Sequence, residues 1–383
     1  MIKTQRPYFF FNINSRPVQK FKGNKIYVST GDSEDMENGE LVTFYNRPSR
    51  ANVEPKVNDV IFAKMANTDK TFLIDEKLAN YIFSTGFFDI SSKNFDPRYL
   101  TYLIQSDEFD GYKNAYSEGT TQVSISDKRL KKISITYETD IQKQKQIADF
   151  LDEKVGKIDK VIHAVKQKKK DLEELKYSII NKFLHAGKVY KLKYLCKVVT
   201  GSTPKSDNSG FWNGGIKWAT PVDLINFKTL VETERTITVK GLNSCATTIV
   251  PIGTTIISTR APIGTISFVG HPMCFNQGCK ALIPNHNLID SKFLFYSALN
   301  ASDMLIHLGR GTTFMELSTS DLKSVTIRVP DLDKQEEIVY LIEHQLTMVD
   351  ELIKKNSKQL QELLNYKKSL IYEYVSGKKE VSL

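Results

Sequence analysis

Two long stretches of the chain carry apolar residues at steps of three and four. The first passes through Ile147, Leu151, Val155, Ile158, Ile162, Val165, Lys169 and Leu172. The second passes through Ile338, Ile342, Leu346, Val349, Ile353, Asn356, Leu360 and Leu363. This spacing lines up one face of a helix as a heptad seam, which needs a partner helix to bury it. Each stretch of ~40 residues predicts a helix ~60 Å long, too long to lie only on a small domain. Two such seams in one chain are expected to bury each other as an antiparallel coiled coil. Lys169 and Asn356 interrupt the seam with polar side chains, a device that fixes register at some cost in stability. Asp333 with Glu336, just after Pro330, predicts a capping box at the start of the second helix. The first helix is expected to open near Thr139–Gln142, and Gly187 and Gly377 are natural residues to end the two helices. The run Lys166–Lys170 reads as a solvated face.

The helices belong to a longer repeat that covers the chain twice. Gly119-Thr120-Thr121 returns as Gly311-Thr312-Thr313, followed by Leu130, Ile133, Ile135 in one copy and Leu322, Val325, Ile327 in the other, both read as strand-like runs. Gln144 matches Gln335, Asp159 matches Asp350, and Phe183…Gly187-Lys188 matches Tyr374…Gly377-Lys378. Upstream, Phe83-Ser-Thr-Gly86 faces Phe275-Asn-Gln-Gly278, Asp96-Pro-Arg-Tyr99 faces Asp290-Ser-Lys-Phe293, and Gly23…Tyr27…Asp32 faces Gly214…Trp218…Asp223. The expected order is a globular domain (1–138), a long helix (139–187), a second globular domain (188–330), a second long helix (331–378) and a short tail (379–383). Within the globular parts, Val60–Phe62 and Thr255–Thr259 read as buried strands, and Asp96–Gln105 and Asp290–Asn300 as short helices. The class is α+β.

Composition narrows the function classes. Hydrophobic residues at 40% and charged residues at 25% are those of a folded globular chain, which excludes wholesale disorder. No run of eighteen apolar residues and no secretory leader stand out, so no membrane association is expected. The four cysteines, Cys196, Cys245, Cys274 and Cys279, have no framework spacing, which suits a reducing cytoplasm. Lysine and arginine exceed the acidic residues by 53 to 44, for a net charge of +9. That excess points to a polyanionic partner, and nucleic acid is the commonest.

The second half opens with Gly201-Ser-Thr-Pro-Lys205 and continues with Gly210-Phe-Trp-Asn-Gly214-Gly-Ile-Lys-Trp218-Ala-Thr220-Pro-Val-Asp223. Later come Ser258-Thr-Arg260-Ala-Pro-Ile-Gly264 and Phe275-Asn-Gln-Gly278. With the Gly-Thr-Thr stretches and the Pro330…Gln335 approach to a long helix, this set resembles the specificity subunit of type I restriction–modification systems, over essentially the whole chain. The first half has no visible counterpart of Gly201–Lys205. The resemblance implies two target recognition domains on double-stranded DNA, spaced by paired antiparallel helices that dock two methyltransferase subunits, with restriction subunits joining the full complex. It also implies a chain with no catalytic residues and no cofactor of its own. The duplication adds that each domain is expected to read one half of a bipartite target.

Asp96-Pro-Arg-Tyr99 looks like the Asp-Pro-Pro-Tyr of adenine methyltransferases, yet its duplicate, Asp290-Ser-Lys-Phe293, favours the start of a helix. A chain that is itself methyltransferase-like, and a coiled-coil adaptor that uses its basic faces only for solubility, are the competing readings. His271, Cys274 and Cys279 lack a fourth ligand at finger-like spacing, so no metal site is expected. Trp218 and Tyr27 read as core rather than base-stacking residues. Arg47, Arg50, Lys64, Lys205, Lys217, Arg260 and Gln277 are the candidate DNA contacts, being side chains able to reach phosphates or base edges from loops and strand ends.

Overall fold

A computed structural model describes residues 2–5, 11–31, 39–68, 70–120, 123–260, 262–309 and 316–381. Thr121, Gly311, Thr312, Thr313 and Asp32, which helped to align the repeat, lie outside the described residues. The chain divides into two compact units, one formed by residues 1–166 with 357–383 and the other by residues 167–356. Each unit joins an α+β globular part to a portion of both long helices, Ile141–Phe183 and Leu332–Val375.

In the first unit a four-stranded sheet places Phe87–Ser92 between Phe11–Ile13 and Val60–Ala63, with Thr71–Leu73 at its edge. A second four-stranded sheet holds Glu40–Val42, Lys25–Val28, Ile82–Ser84 and Ala51–Val53 in that order. In the second unit a five-stranded sheet contains Cys196–Thr200, Cys279–Pro284, Thr255–Ser258, Ile266–Val269 and Thr229–Leu230. Its companion sheet holds Arg235–Ile237, Trp212–Ala219 and Cys274–Phe275. The strands Val60–Ala63 and Thr255–Ser258 are buried along their whole length, in keeping with runs that are apolar or β-branched except at Ser258, whose hydroxyl donates to the Pro262 carbonyl.

Pairing register relates the two globular parts more closely than their sequences do. Tyr27 lies beside Ile82 in a parallel pair, as Trp218 lies beside Cys274. Ile13 faces Ile90, which also faces Val60; Val198 faces Leu282, which also faces Thr255. Counting on from Ile13 and Val198, the missing counterpart of Gly201–Lys205 is Arg16-Pro17-Val18-Gln19-Lys20. The two segments share only the terminal lysine, and so sequence comparison passed over them.

The short helices Pro97–Gln105 and Ser291–Asn300 begin as expected, with Asp96 and Asp290 as N-caps. Gln144 and Gln335 are fully buried and do the same work in each copy. Gln144 accepts from the Asp96 N–H at 3.0 Å and donates to the Glu138 carbonyl at 2.7 Å. Gln335 accepts from the Asp290 N–H at 2.8 Å and donates to the Pro330 carbonyl at 2.8 Å. Each glutamine thereby ties the start of a long helix to the start of a short one.

The long helices run antiparallel within each unit. In the first, Phe150 packs on Tyr374 with ring centroids 4.5 Å apart, and further along Asp159 meets Lys367 at 2.7 Å. In the second, Lys176 meets Asp350 at 2.8 Å. Leu151, Val155, Leu370, Ile371 and Val375 close one core; Leu172, Ile179, Ile180, Ile338, Ile342, Leu346 and Val349 close the other. These cores also take in residues of the globular parts, so each seam is covered by a domain as well as by the other helix. Ile158, Ile353 and Leu360 are half-buried, Ile162 is buried, and Lys169 is exposed rather than in the seam.

Local details depart from expectation in three places. The second helix starts at Leu332, which puts Asp333 inside its first turn and leaves no Asp333–Glu336 capping box; the first is capped by Asp140, whose carboxylate accepts from the Gln142 N–H at 2.8 Å. The strand-like runs are a helical turn followed by a strand, Asp127–Leu130 then Ile135–Glu138, and Thr319–Ser324 then Thr326–Val329. Gly377 does end its helix, at φ +71°, but Gly187 lies beyond the first helix, at the start of the strand Lys188–Lys191. There a Cβ would sit 2.2 Å from the Val329 carbonyl carbon, so close backbone approach, rather than capping, demands glycine.

Candidate nucleic-acid interface

The exposed loops of the first unit carry a cluster of rings and cations next to the Arg16–Lys20 segment. Phe44 stands edge-on to both Phe21 and Tyr45, with centroids 6.0 and 5.4 Å away. Lys20 lies 5.7 Å over Tyr45, Lys25 lies 5.1 Å over Phe21, and Arg47 lies 4.9 Å over Phe44. Tyr45 is 79% exposed, which leaves a flat apolar face beside positive charge. Arg47 is less free than its sequence position suggests, because its guanidinium donates to the Ala51 carbonyl at 3.1 Å. Arg50 is exposed. Lys64 sits apart from them, 4.6 Å over the Phe88 ring in a cleft of about 370 Å3 that also contains Arg16, Asp89 and Lys131.

Asp89 lines that cleft, and Arg16 pairs with both Asp89 and the buried carboxylate of Asp59. Burial pushes the Asp89 carboxyl up to about 6; the neighbouring Asp59 charge pushes the same way, against the Asn14 hydrogen bond and the Arg16 charge. The register places Gly201 and Ala281 where the first domain has Arg16 and Asp89, so this network belongs to one copy only.

In the second unit the candidate residues gather around a tryptophan pair. Trp212 and Trp218 stand edge to face at 5.0 Å, both buried, and their indole N–H groups donate to the carbonyls of Lys205 (3.1 Å) and Ser202 (3.0 Å). Thr203 in turn donates to Gln277, so the loops bearing Lys205 and Gln277 are tied to each other through this corner. A bulge allows it: Trp212 and Ile216 both face Ile237, and the intervening Asn213 takes φ +58°. Trp218 and Tyr27 are core residues, as read from the sequence. Lys217 is engaged with Glu232 at 2.7 Å and the Val231 carbonyl, and Arg260 pairs with Glu316 at 3.2 Å.

Sequence reading passed over Arg235. Its guanidinium carbon lies 3.8 Å from the Trp212 ring centroid and 5.3 Å from that of Trp218. Arg235 belongs to no recognisable motif and gives no signal until the bulge brings Trp212 beneath it.

Other motifs resolve into structure. The Asp96 carboxylate accepts from the Arg98 and Tyr99 N–H groups, and the Tyr99 hydroxyl donates to the Val375 carbonyl while accepting from the Glu138 N–H. Asp96–Tyr99 is therefore a capped helix start with its polar atoms engaged. His271 is exposed, whereas Cys274 and Cys279 are buried, with thiols pushed up to about 12 by that burial. No described helix is long and apolar enough to cross a membrane.

The fold defines a class of duplicated α+β proteins with a long helix after each globular part and different loop residues in the two copies. This chain belongs to the family of the type I restriction modification DNA specificity domain, whose model matches it twice, over residues 10–174 and 187–363. The type I restriction enzyme MjaIX specificity subunit of Methanocaldococcus jannaschii is 35% identical over 190 residues, 49% of this chain and 43% of that protein. The match thus spans less than half the length of that relative. The putative MjaX specificity subunit of the same organism is 25% identical over 302 residues, 74% of this chain and 68% of the relative. A solved structure from work on complex assembly and conformational transition of the type I R-M system shares the fold, with a TM-score of 0.70 at 20% identity. That likeness covers 99% of this chain and 98% of the other.

Proposed function

We propose that this chain is the sequence-specific DNA-recognition subunit of a type I restriction–modification complex. One globular domain reads each half of a bipartite, asymmetric target, and the long helices dock two methyltransferase subunits, with restriction subunits joining for cleavage. The chain itself is non-catalytic and works in the cytoplasm. The observation that carries this reading is the match of one DNA-specificity family to both copies of the repeat. Two domains with common strand register but different loop residues suit two half-sites of unrelated sequence. We take 1–138 and 188–330 as the two recognition domains and 139–187 and 331–378 as the helical segments, a division motivated by the long helices Ile141–Phe183 and Leu332–Val375.

Arg50, Lys64, Lys205 and Gln277 are proposed DNA contacts, Gln277 through the amide nitrogen left over after its oxygen accepts from Thr203. Arg47, Lys217 and Arg260 are proposed contacts that must first give up an intramolecular partner. Phosphate contacts release counterions, so binding by the full chain with its methyltransferase subunits falls steeply as salt rises. Mapping modified bases in DNA from cells carrying that complex tests the proposal. Two unrelated short elements separated by unspecified base pairs support it; an unmodified genome, or modification by this chain purified alone, contradicts it.

A further inference from the structure

We propose that Arg235 is a specificity-determining residue of the second globular domain, reading a guanine through its O6 and N7 acceptors. This rests on the DNA-recognition reading above and adds one residue and one base to it.

The first argument is preorganisation. The Arg235 guanidinium carbon lies 3.8 Å from the Trp212 ring centroid and 5.3 Å from that of Trp218, and both indoles are fixed by their own hydrogen bonds. Stacking restrains the plane of a guanidinium while its N–H edge stays available for a two-pronged acceptor. Arg235 is exposed, and no hydrogen bond or ion pair engages its guanidinium among the described residues. Lys217 and Arg260, by contrast, each lie on a carboxylate.

The second argument separates a base from a phosphate. Arg235 faces Trp218 across an antiparallel pair, and Glu40 faces Tyr27 in the same way. Since Tyr27 and Trp218 are equivalent, Glu40 holds in the first domain the position that Arg235 holds in the second. A position that met the phosphate backbone in both domains would carry a cation in both, because a carboxylate is repelled there. Opposite hydrogen-bonding character at one register position suits base edges, where arginine matches guanine and a carboxylate accepts from the amino group of cytosine.

The test is selection from randomised DNA duplexes by the full chain in complex with its methyltransferase subunits, comparing wild type with Arg235→Ala and Arg235→Lys. Wild type should enrich a bipartite motif with guanine at one position of one element. Arg235→Ala should lose the preference at that position, by roughly 5- to 150-fold for a good two-pronged contact, Arg235→Lys should weaken it, and both should keep every other preference. Lysine retains the charge but not the planar fork, so it decides the matter even if alanine disturbs the tryptophan corner. An unchanged motif, or a uniform loss of affinity with preferences intact, overturns the assignment. Enrichment of no motif by wild type would instead defeat the DNA-recognition reading on which it rests.

Discussion

Lys176 meets Asp350 at 2.8 Å, and the same sequence offset that separates Asp159 from Asp350 carries Lys176 onto Lys367, which meets Asp159 at 2.7 Å. One ion pair is thus written twice, with the lysine on the first helix in one unit and on the second helix in the other. The two copies differ in setting. Lys176 has a side chain only 8% exposed and lies 4.4 Å over Phe227, whereas the Lys367 side chain is 25% exposed.

Exposed ion pairs contribute about 0.2–1 kcal/mol, and a cation over a ring adds about 0.5–1 kcal/mol. Lys176→Ala should therefore cost about 1–2 kcal/mol and Lys367→Ala less than about 1 kcal/mol. Urea denaturation midpoints of the two variants check this, with equal losses showing that Phe227 contributes nothing.

Gln144→Leu and Gln335→Leu should each destabilise strongly, because each removal strands a buried backbone N–H and at least one carbonyl. Each stranded group costs about 1–3 kcal/mol. Denaturant unfolding should show comparable losses for the two variants, as their hydrogen-bond sets are nearly the same; a loss for only one would break the equivalence.

Asn356 is buried with neither its carboxamide oxygen nor its nitrogen hydrogen-bonded, and the repeat puts Val165 at the equivalent place. Asn356→Leu should raise stability by about 1–3 kcal/mol by removing an unsatisfied polar group. The midpoint of thermal unfolding reports this directly. Ile353 and Leu360 are half-buried, so truncating them should cost less than the ~2–5 kcal/mol expected at fully buried Ile342.

Asp89 sets a pH dependence. Its folded-state carboxyl titrates near 6 against an ordinary value of 3.8, so between those limits the folded chain holds a proton that the unfolded chain has released. Stability from this group therefore falls as pH rises from about 4 to about 6 and is level above. Asp89→Asn should remove that slope, with the Asn14 and Arg16 contacts making a smaller compensating change. Unfolding midpoints at pH 4, 5, 6 and 7 for both proteins check it; identical slopes would contradict the assignment.

The repeat, the helices and the two capped short helices were legible because they rest on periodicity and on side chains that act locally, such as Asp96 and Asp290. Gln144 and Gln335 were legible as a matched pair but not as ties, since their partners lie far away in sequence. Arg16–Lys20 was invisible as the partner of Gly201–Lys205 because backbone pairing, not side-chain identity, relates them. At the candidate interface, the hydrogen bond from Arg47 to the Ala51 carbonyl was not legible because it depends on loop geometry. Arg235 was missed because a bulge supplies the ring beneath it.

The central claim is that each domain reads its own half of the target, and exchanging one domain tests it most directly. Residues 188–330 would be replaced by the second globular domain of another family member, and the modified bases mapped with the same methyltransferase subunits. The account predicts that one half of the target changes while the other half is retained base for base. A change in both halves, or a native target that proves to be a continuous palindrome, would contradict it.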